Sequence, residues 1–127
     1  MNKKRNEELM QKAEKALQDP RVKILKSNGN EIKDSYNGQT AAFGVTVAMS
    51  GLRPALAIYK QETDGCNRLE ILNAIAVMLD RWPGNTPGES MRRAIMACND
   101  ADLRNYKRDI IDCSIALKQV IRTYKLT

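Results

Sequence analysis

The sequence predicts an all-α protein, a compact bundle of five to seven helices in a single domain spanning residues 1–127. Three observations carry this. Apolar residues recur at three- and four-residue spacing along most of the chain, the period of a helix with one buried face. Aromatic residues are only 5% of the total, with one Trp (Trp82) and one Phe (Phe43). The core must then be built from Leu, Ile, Val, Ala and Met, a palette that suits helix packing. Turn residues separate the periodic stretches, and a chain of this length can bury one core of useful size.

Residues 5–18 read as the first helix, with Leu9, Ala13, Ala16 and Leu17 on one face. Asp19-Pro20 stops it, because proline restricts the residue before it. Residues 21–29 leave two readings open. They form either a short extended piece near Val22, the one strand candidate in the chain, or a stray helical turn. Asn28-Gly29 marks a turn.

A second helix is expected from near Glu31 to about Ser50. Tyr36, Phe43, Val47 and Met49 supply its large groups. Gly38, Ala41, Ala42, Gly44 and Ala48 supply small ones. A glycine inside a helix costs about 1 kcal/mol against alanine, so Gly44 predicts the close approach of a neighbouring helix. Gly51 is expected to end this helix at positive φ. Pro54 lies where a third helix, Leu52 to Lys60, can begin.

Thr63-Asp64-Gly65 is a loop. The fourth helix is expected from about Asn67 to Arg81, with Leu69, Leu72, Ile75, Ala76 and Leu79 on one face. Pro83, Gly84, Asn85, Pro87 and Gly88 read as a further loop. The fifth helix, about Glu89 to Cys98, spaces Met91, Ile95 and Cys98 on one side. Asn99-Asp100 caps the last and longest helix, Ala101 to Lys125. The expected core contains Phe43, Val47, Leu56, Leu72, Ile75, Leu117 and Ile121.

Composition narrows the function. The chain has no histidine, which removes the commonest general base and the commonest metal ligand. Cys66, Cys98 and Cys113 lack metal-ligand spacing and form no C-x-x-C pair. Gly84-Asn85-Thr86-Pro87-Gly88 lacks the lysine of a phosphate-binding loop. No enzyme, no metal and no cofactor are therefore expected. A nuclease using carboxylates and a metal is the enzyme class left open. No apolar run approaches the ~18 residues of a membrane span, and residues 1–11 carry no apolar leader core. A cytoplasmic protein with reduced thiols and no membrane partner is expected.

The charge is more informative. Lys and Arg total 21 against 15 Asp and Glu, a net charge of +6. The isoelectric point is about 9.4. Such a surplus attracts polyanions. On the last helix, at 100° per residue, Leu103, Tyr106, Ile110, Cys113, Leu117, Val120, Ile121 and Tyr124 form the apolar stripe. Arg104, Lys107, Arg108, Lys118, Arg122 and Lys125 lie on one flank, and Asp102, Asp109 and Asp112 on the other. Cations late in a helix complement its dipole, which accounts for Lys118, Arg122 and Lys125 but not for Arg104. Arg92-Arg93 and Lys3-Lys4-Arg5 are further basic spots. Few aromatics are interleaved, so the pattern suits phosphate contact rather than base stacking.

Two stretches carry a family resemblance. Ser35-Tyr36, Phe43-Gly44, Gly51-Leu52 and Pro54-Ala55-Leu56-Ala57 form one spaced pattern. Ala116-Leu117-Lys118-Gln119-Val120-Ile121-Arg122-Thr123-Tyr124 forms the other. Together they resemble the small helical subunit of the Cmr-type (type III-B) CRISPR RNA-guided effector complex. The match covers about two fifths of the chain. Gln119 and Arg53 depart from it, since the family usually carries an apolar residue near the first and often one at the second. The resemblance implies a non-catalytic, RNA-binding structural subunit serving antiviral defence. It implies several stacked copies that line the groove for guide and target RNA, beside the large signature subunit and other subunits of the complex.

The RNA-binding residues expected from the charge pattern are Arg53, Arg92, Arg93, Arg104, Lys107, Lys118 and Arg122. Two alternatives stand beside this reading: a basic helical protein-interaction adaptor and a small DNA-binding regulator. Against the second, no short helix-turn-helix with Arg, Asn or Gln grouped at the start of a recognition helix is found; Arg92-Arg93 is the nearest candidate.

Overall fold

The computed structural model describes residues 1–60 and 66–127. The expected loop at Thr63-Asp64-Gly65 lies outside them. The described residues form a bundle of six helices: α1 (Lys3–Gln18), α2 (Asp34–Ser50), α3 (Leu52–Tyr59), α4 (Leu69–Leu79), α5 (Pro87–Ala97) and α6 (Asp100–Ile121). Two strands of two residues each, β1 (Glu31–Ile32) and β2 (Lys125–Leu126), pair in parallel. The all-α class holds.

Helix α4 is the centre of the bundle. Ile71, Leu72, Ala74, Ile75, Ala76 and Met78 are all buried, and α5, α1, α6 and α3 surround it. Helix α6 packs against α1 on one side and α2 on the other. All seven expected core residues are buried, each with no measurable exposure. The aromatic pair at the α2–α3 corner, Phe43 and Tyr59, meets edge to face with centroids 4.9 Å apart, an arrangement the ring quadrupoles favour.

The termini of the helices follow local chemistry. Asn2 caps α1, its side-chain oxygen accepting from Arg5 N at 2.8 Å, and Asn99 caps α6 by accepting from Asp102 N at 2.8 Å. Gly51 takes φ +96° and ψ 162° between α2 and α3. Positive φ is as expected, but the residue lies outside the left-handed helical well, in a region open essentially to glycine alone.

Helix α1 starts two residues earlier than the sequence reading, α4 is two residues shorter at each end, and three other boundaries differ for local reasons. Pro87 and Gly88 open α5 instead of belonging to the loop; proline is well suited to a first turn. Helix α6 ends at Ile121 rather than Lys125. Thr123 Oγ1 donates back to Val120 O at 2.7 Å, and the chain then turns so that Lys125 N donates to Asn30 O and Thr127 N to Ile32 O. The extended element after α1 is not centred on Val22, which is simply buried. It is a bridge between Leu25 and Ile32, so helix α2 starts at Asp34 rather than Glu31.

Candidate nucleic-acid interface

Helix α6 is 22 residues long and buries Ile110, Cys113, Ser114, Ala116, Leu117, Val120 and Ile121. The flank of that buried face beside α2 carries Arg104, Lys107, Ile111, Ile115, Lys118 and Arg122. Arg104 and Arg122 are exposed, while Lys107 and Lys118 are half-buried. Arg104, Lys107 and Lys118 make no ion pair with any described carboxylate. Arg122 Nε donates to Asn37 Oδ1 of α2 at 3.1 Å, a neutral partner that leaves its charge uncompensated. Lys125 leaves this row, because it lies on β2.

The sign segregation along α6 has a structural cause on its acidic side. Arg5 of α1 reaches across to both carboxylates, with Nη2 3.0 Å from Asp109 Oδ1 and Nε 2.9 Å from Asp112 Oδ2. Asp109 also receives Arg108 at 3.4 Å. Asp109 and Asp112 thus serve the α1–α6 contact. The Lys3-Lys4-Arg5 run does not act as one patch, because Arg5 is spent on this bridge.

The remaining expected site residues divide. Arg53, on α3, points at the end of α5: its Nε donates to Ile95 O at 3.2 Å and its Nη2 to Cys98 O at 2.7 Å. A cation there satisfies carbonyls that a helix leaves unpaired and meets the negative end of its dipole. Arg92 is held by Glu89, its Nε 2.9 Å from Oε2. The neighbouring Arg93 touches the same carboxylate at 3.3 Å, yet 76% of its side chain is exposed. Glu89 is held below the usual carboxylate range chiefly by the hydrogen bond from Arg92, which outweighs the opposing effect of burial. The structure therefore leaves Arg93, Arg104, Lys107, Lys118 and Arg122 facing outward and turns Arg53 and Arg92 inward.

Ile111 and Ile115, which sit among these cations in the sequence as a subunit contact would, line a groove of about 240 Å³ between α2 and α6 with Thr40, Ala41, Gly44, Val45, Ala48, Ser114 and Lys118. Its floor is formed where Gly44 meets Ser114: a Cβ on Gly44 would lie 2.9 Å from Ser114 Oγ. The available signal was the small-residue set on α2 together with Ile111 and Ile115 among the cations.

Among the described residues, no group of three or more Cys, Asp or Glu side chains is arranged to hold a metal ion. No described helix is long and apolar enough to cross a membrane. Nothing matches in comparisons with protein-family models, curated proteins and solved structures.

Proposed function

We propose that this chain is a non-catalytic RNA-binding subunit of a type III-B CRISPR ribonucleoprotein, stacked in several copies along the groove for guide and target RNA. One observation carries the reading: one flank of α6 presents the exposed Arg104 and Arg122 and the half-buried Lys107 and Lys118 with no described carboxylate paired to them, while Asp109 and Asp112 of the same helix are tied to Arg5. The motifs behind the family resemblance support it. Phe43-Gly44 lies within α2 and Gly51-Leu52 at its junction with α3, the positions that pattern occupies in the small subunit.

The mechanism is electrostatic. Cations on an outward face neutralise phosphates and release counterions, so affinity is independent of sequence and falls steeply with salt. Base identity is read elsewhere, by pairing between guide and target. One copy makes few contacts and binds weakly, whereas a stack gains by avidity.

The test is the triple variant Arg93→Ala, Arg104→Ala and Arg122→Ala, incorporated into the assembled complex. Each lost phosphate contact should lower the slope of log affinity against log salt by about 1, equally for all RNA sequences. An incorporated variant with unchanged RNA affinity and salt slope would sink the assignment.

A second reading, the protein-interaction adaptor, is favoured by one feature. Val45 and Met49 of α2 are 57% and 82% exposed, and phosphates gain nothing from such side chains. Competition by arbitrary single-stranded RNA at low salt separates the two readings. Equal preference for duplex DNA would instead favour a DNA-binding regulator.

A further inference from the structure

Helix α2 carries no charged residue from Ser35 to Ser50, and apolar residues are spread around its whole circumference. A helix of that composition is ordinarily buried on all sides. Here only one side is covered, by α6 and α3. The other side exposes Val45 and Met49 and slopes into the groove whose apolar walls are Ala41, Ala48, Ile111 and Ile115. Contiguous exposed apolar surface on a small domain marks an interaction site more often than chance exposure does.

The charges around the groove say what covers it. No Asp or Glu lines it. Lys118 lies in its wall, and Arg122 stands beyond one end, held by Asn37. Lys107 and Arg104 precede Ile111 by one and two helical turns, so they stand beyond the other end on the same face of α6. Two copies of this chain opposed through the groove would set cation against cation at both ends, at a cost that grows as water is excluded. A nucleic acid would satisfy the cations but leave the apolar walls in water.

We infer that the α2–α6 groove docks an amphipathic helix of a partner protein, one with an apolar stripe flanked by carboxylates that meet Lys107 and Lys118. At 1.5 Å per residue those two lysines stand about 16 Å apart along α6, so the matching carboxylates lie roughly eleven residues apart on the docking helix. The small residues of α2 let that helix approach closely, as Gly44 lets α6 approach from the inner side. The inference takes Lys107 and Lys118, which the RNA reading also names, for a protein partner, and its separate ground is the uncovered side of α2. The exposed Arg93, Arg104 and Arg122 remain for phosphate.

The experiment places the photoreactive residue p-benzoyl-phenylalanine at Val45, and separately at Met49, in the full chain expressed in its host, and sequences what is cross-linked. Both positions are solvent-exposed, so the fold should tolerate the substitution; circular dichroism verifies this. The expected product is a single protein segment of helical periodicity, with an apolar stripe and Asp or Glu near both ends. Its yield should fall at least tenfold when Lys118→Glu is added. Cross-links to RNA, to another copy of this chain, to a segment without flanking carboxylates, or to nothing would each overturn the inference. None of these readouts depends on the salt slope of the triple arginine variant, so the two proposals fail separately.

Discussion

Gly88 and Asn73 hold α5 against α4 by backbone contact. The Gly88 amide donates to Asn73 Oδ1 at 2.8 Å, and a Cβ on Gly88 would lie 2.6 Å from Asn73 N and 2.7 Å from Leu72 C. Asn73 Nδ2 donates in turn to Glu70 Oε1 at 3.3 Å, and the same carboxylate oxygen accepts from Lys23 N at 2.7 Å. One buried polar chain thus joins the segment after α1, the centre of α4 and the first turn of α5.

Gly88→Ala should therefore destabilise the protein by roughly 1–3 kcal/mol, because backbone atoms cannot yield as a flexible side chain can. Urea melts of the two proteins measure the difference. An unchanged midpoint at equal slope would show that α5 moves away freely.

Gly51→Ala and Gly51→Val should both lose roughly 1–3 kcal/mol. The nearest atom to an added Cβ is Pro54 Cδ at 3.7 Å, an ordinary contact, so the cost comes from the backbone conformation. The two variants should differ little in a urea melt beyond the poorer fit of a β-branched residue at positive φ. A large loss for valine with none for alanine would contradict that account.

Cys113 should be inert in the native protein. Burial, with Asp109 next in weight, pushes its thiol up to about 12, and the thiolate is the reactive form. Cys98 is half-buried and donates its S–H to Ile95 O at 3.2 Å. Alkylation by a maleimide at pH 8, followed by peptide mapping, should label Cys98 first and Cys113 only after denaturation. Early labelling of Cys113 would mean that the α1–α6 seam opens readily.

Acid should weaken two surface pairs. Asp19 is held below its ordinary range by the Arg21 guanidinium, and Glu89 by Arg92. A carboxylate depressed in the folded state contributes stability above its unfolded pKa and loses it as pH falls through the folded value. Melting temperature should therefore decline from about pH 4.5 downward. Glu89→Gln should lower the neutral-pH plateau slightly and flatten that decline. A variant with the same acid limb as the parent would remove Glu89 from the account.

The long elements were legible in the sequence because their apolar period is strong. Leu9, Ala13, Ala16 and Leu17 are buried as their spacing predicts, and so are Ile110, Cys113, Leu117, Val120 and Ile121 of the α6 stripe, while Leu103 and Tyr106 are half-buried and Tyr124 lies beyond the helix. The start of α5 was hidden because Pro-Gly reads equally as a loop and as a first turn. Strands of two residues have no period to detect, and β1 finds its partner at the far end of the chain. The cations were the hardest to sort. Arg5, Arg53 and Arg104 look alike in sequence, and only their distant neighbours separate them: Asp109 and Asp112 for the first, two carbonyls at the end of α5 for the second, and no carboxylate for the third.

The pairing of β1 with β2 also orders events during synthesis. Asn30 O, Ile32 O and the Asp34 amide all find their partners in residues 125–127. While the chain emerges from the ribosome, α1 and α2 can form and the joining segment can close its own turn from Lys26 to Glu31, but Asn30 O, Ile32 O and the Asp34 amide have only water to bond. Those three groups are paired only once residues 125–127 have been made, so the entry into α2 is completed after α6 and not with α1. A truncation before Lys125 would hold the protein in that unfinished state, with its helices formed and the stretch from Asn30 to Asp34 still solvated.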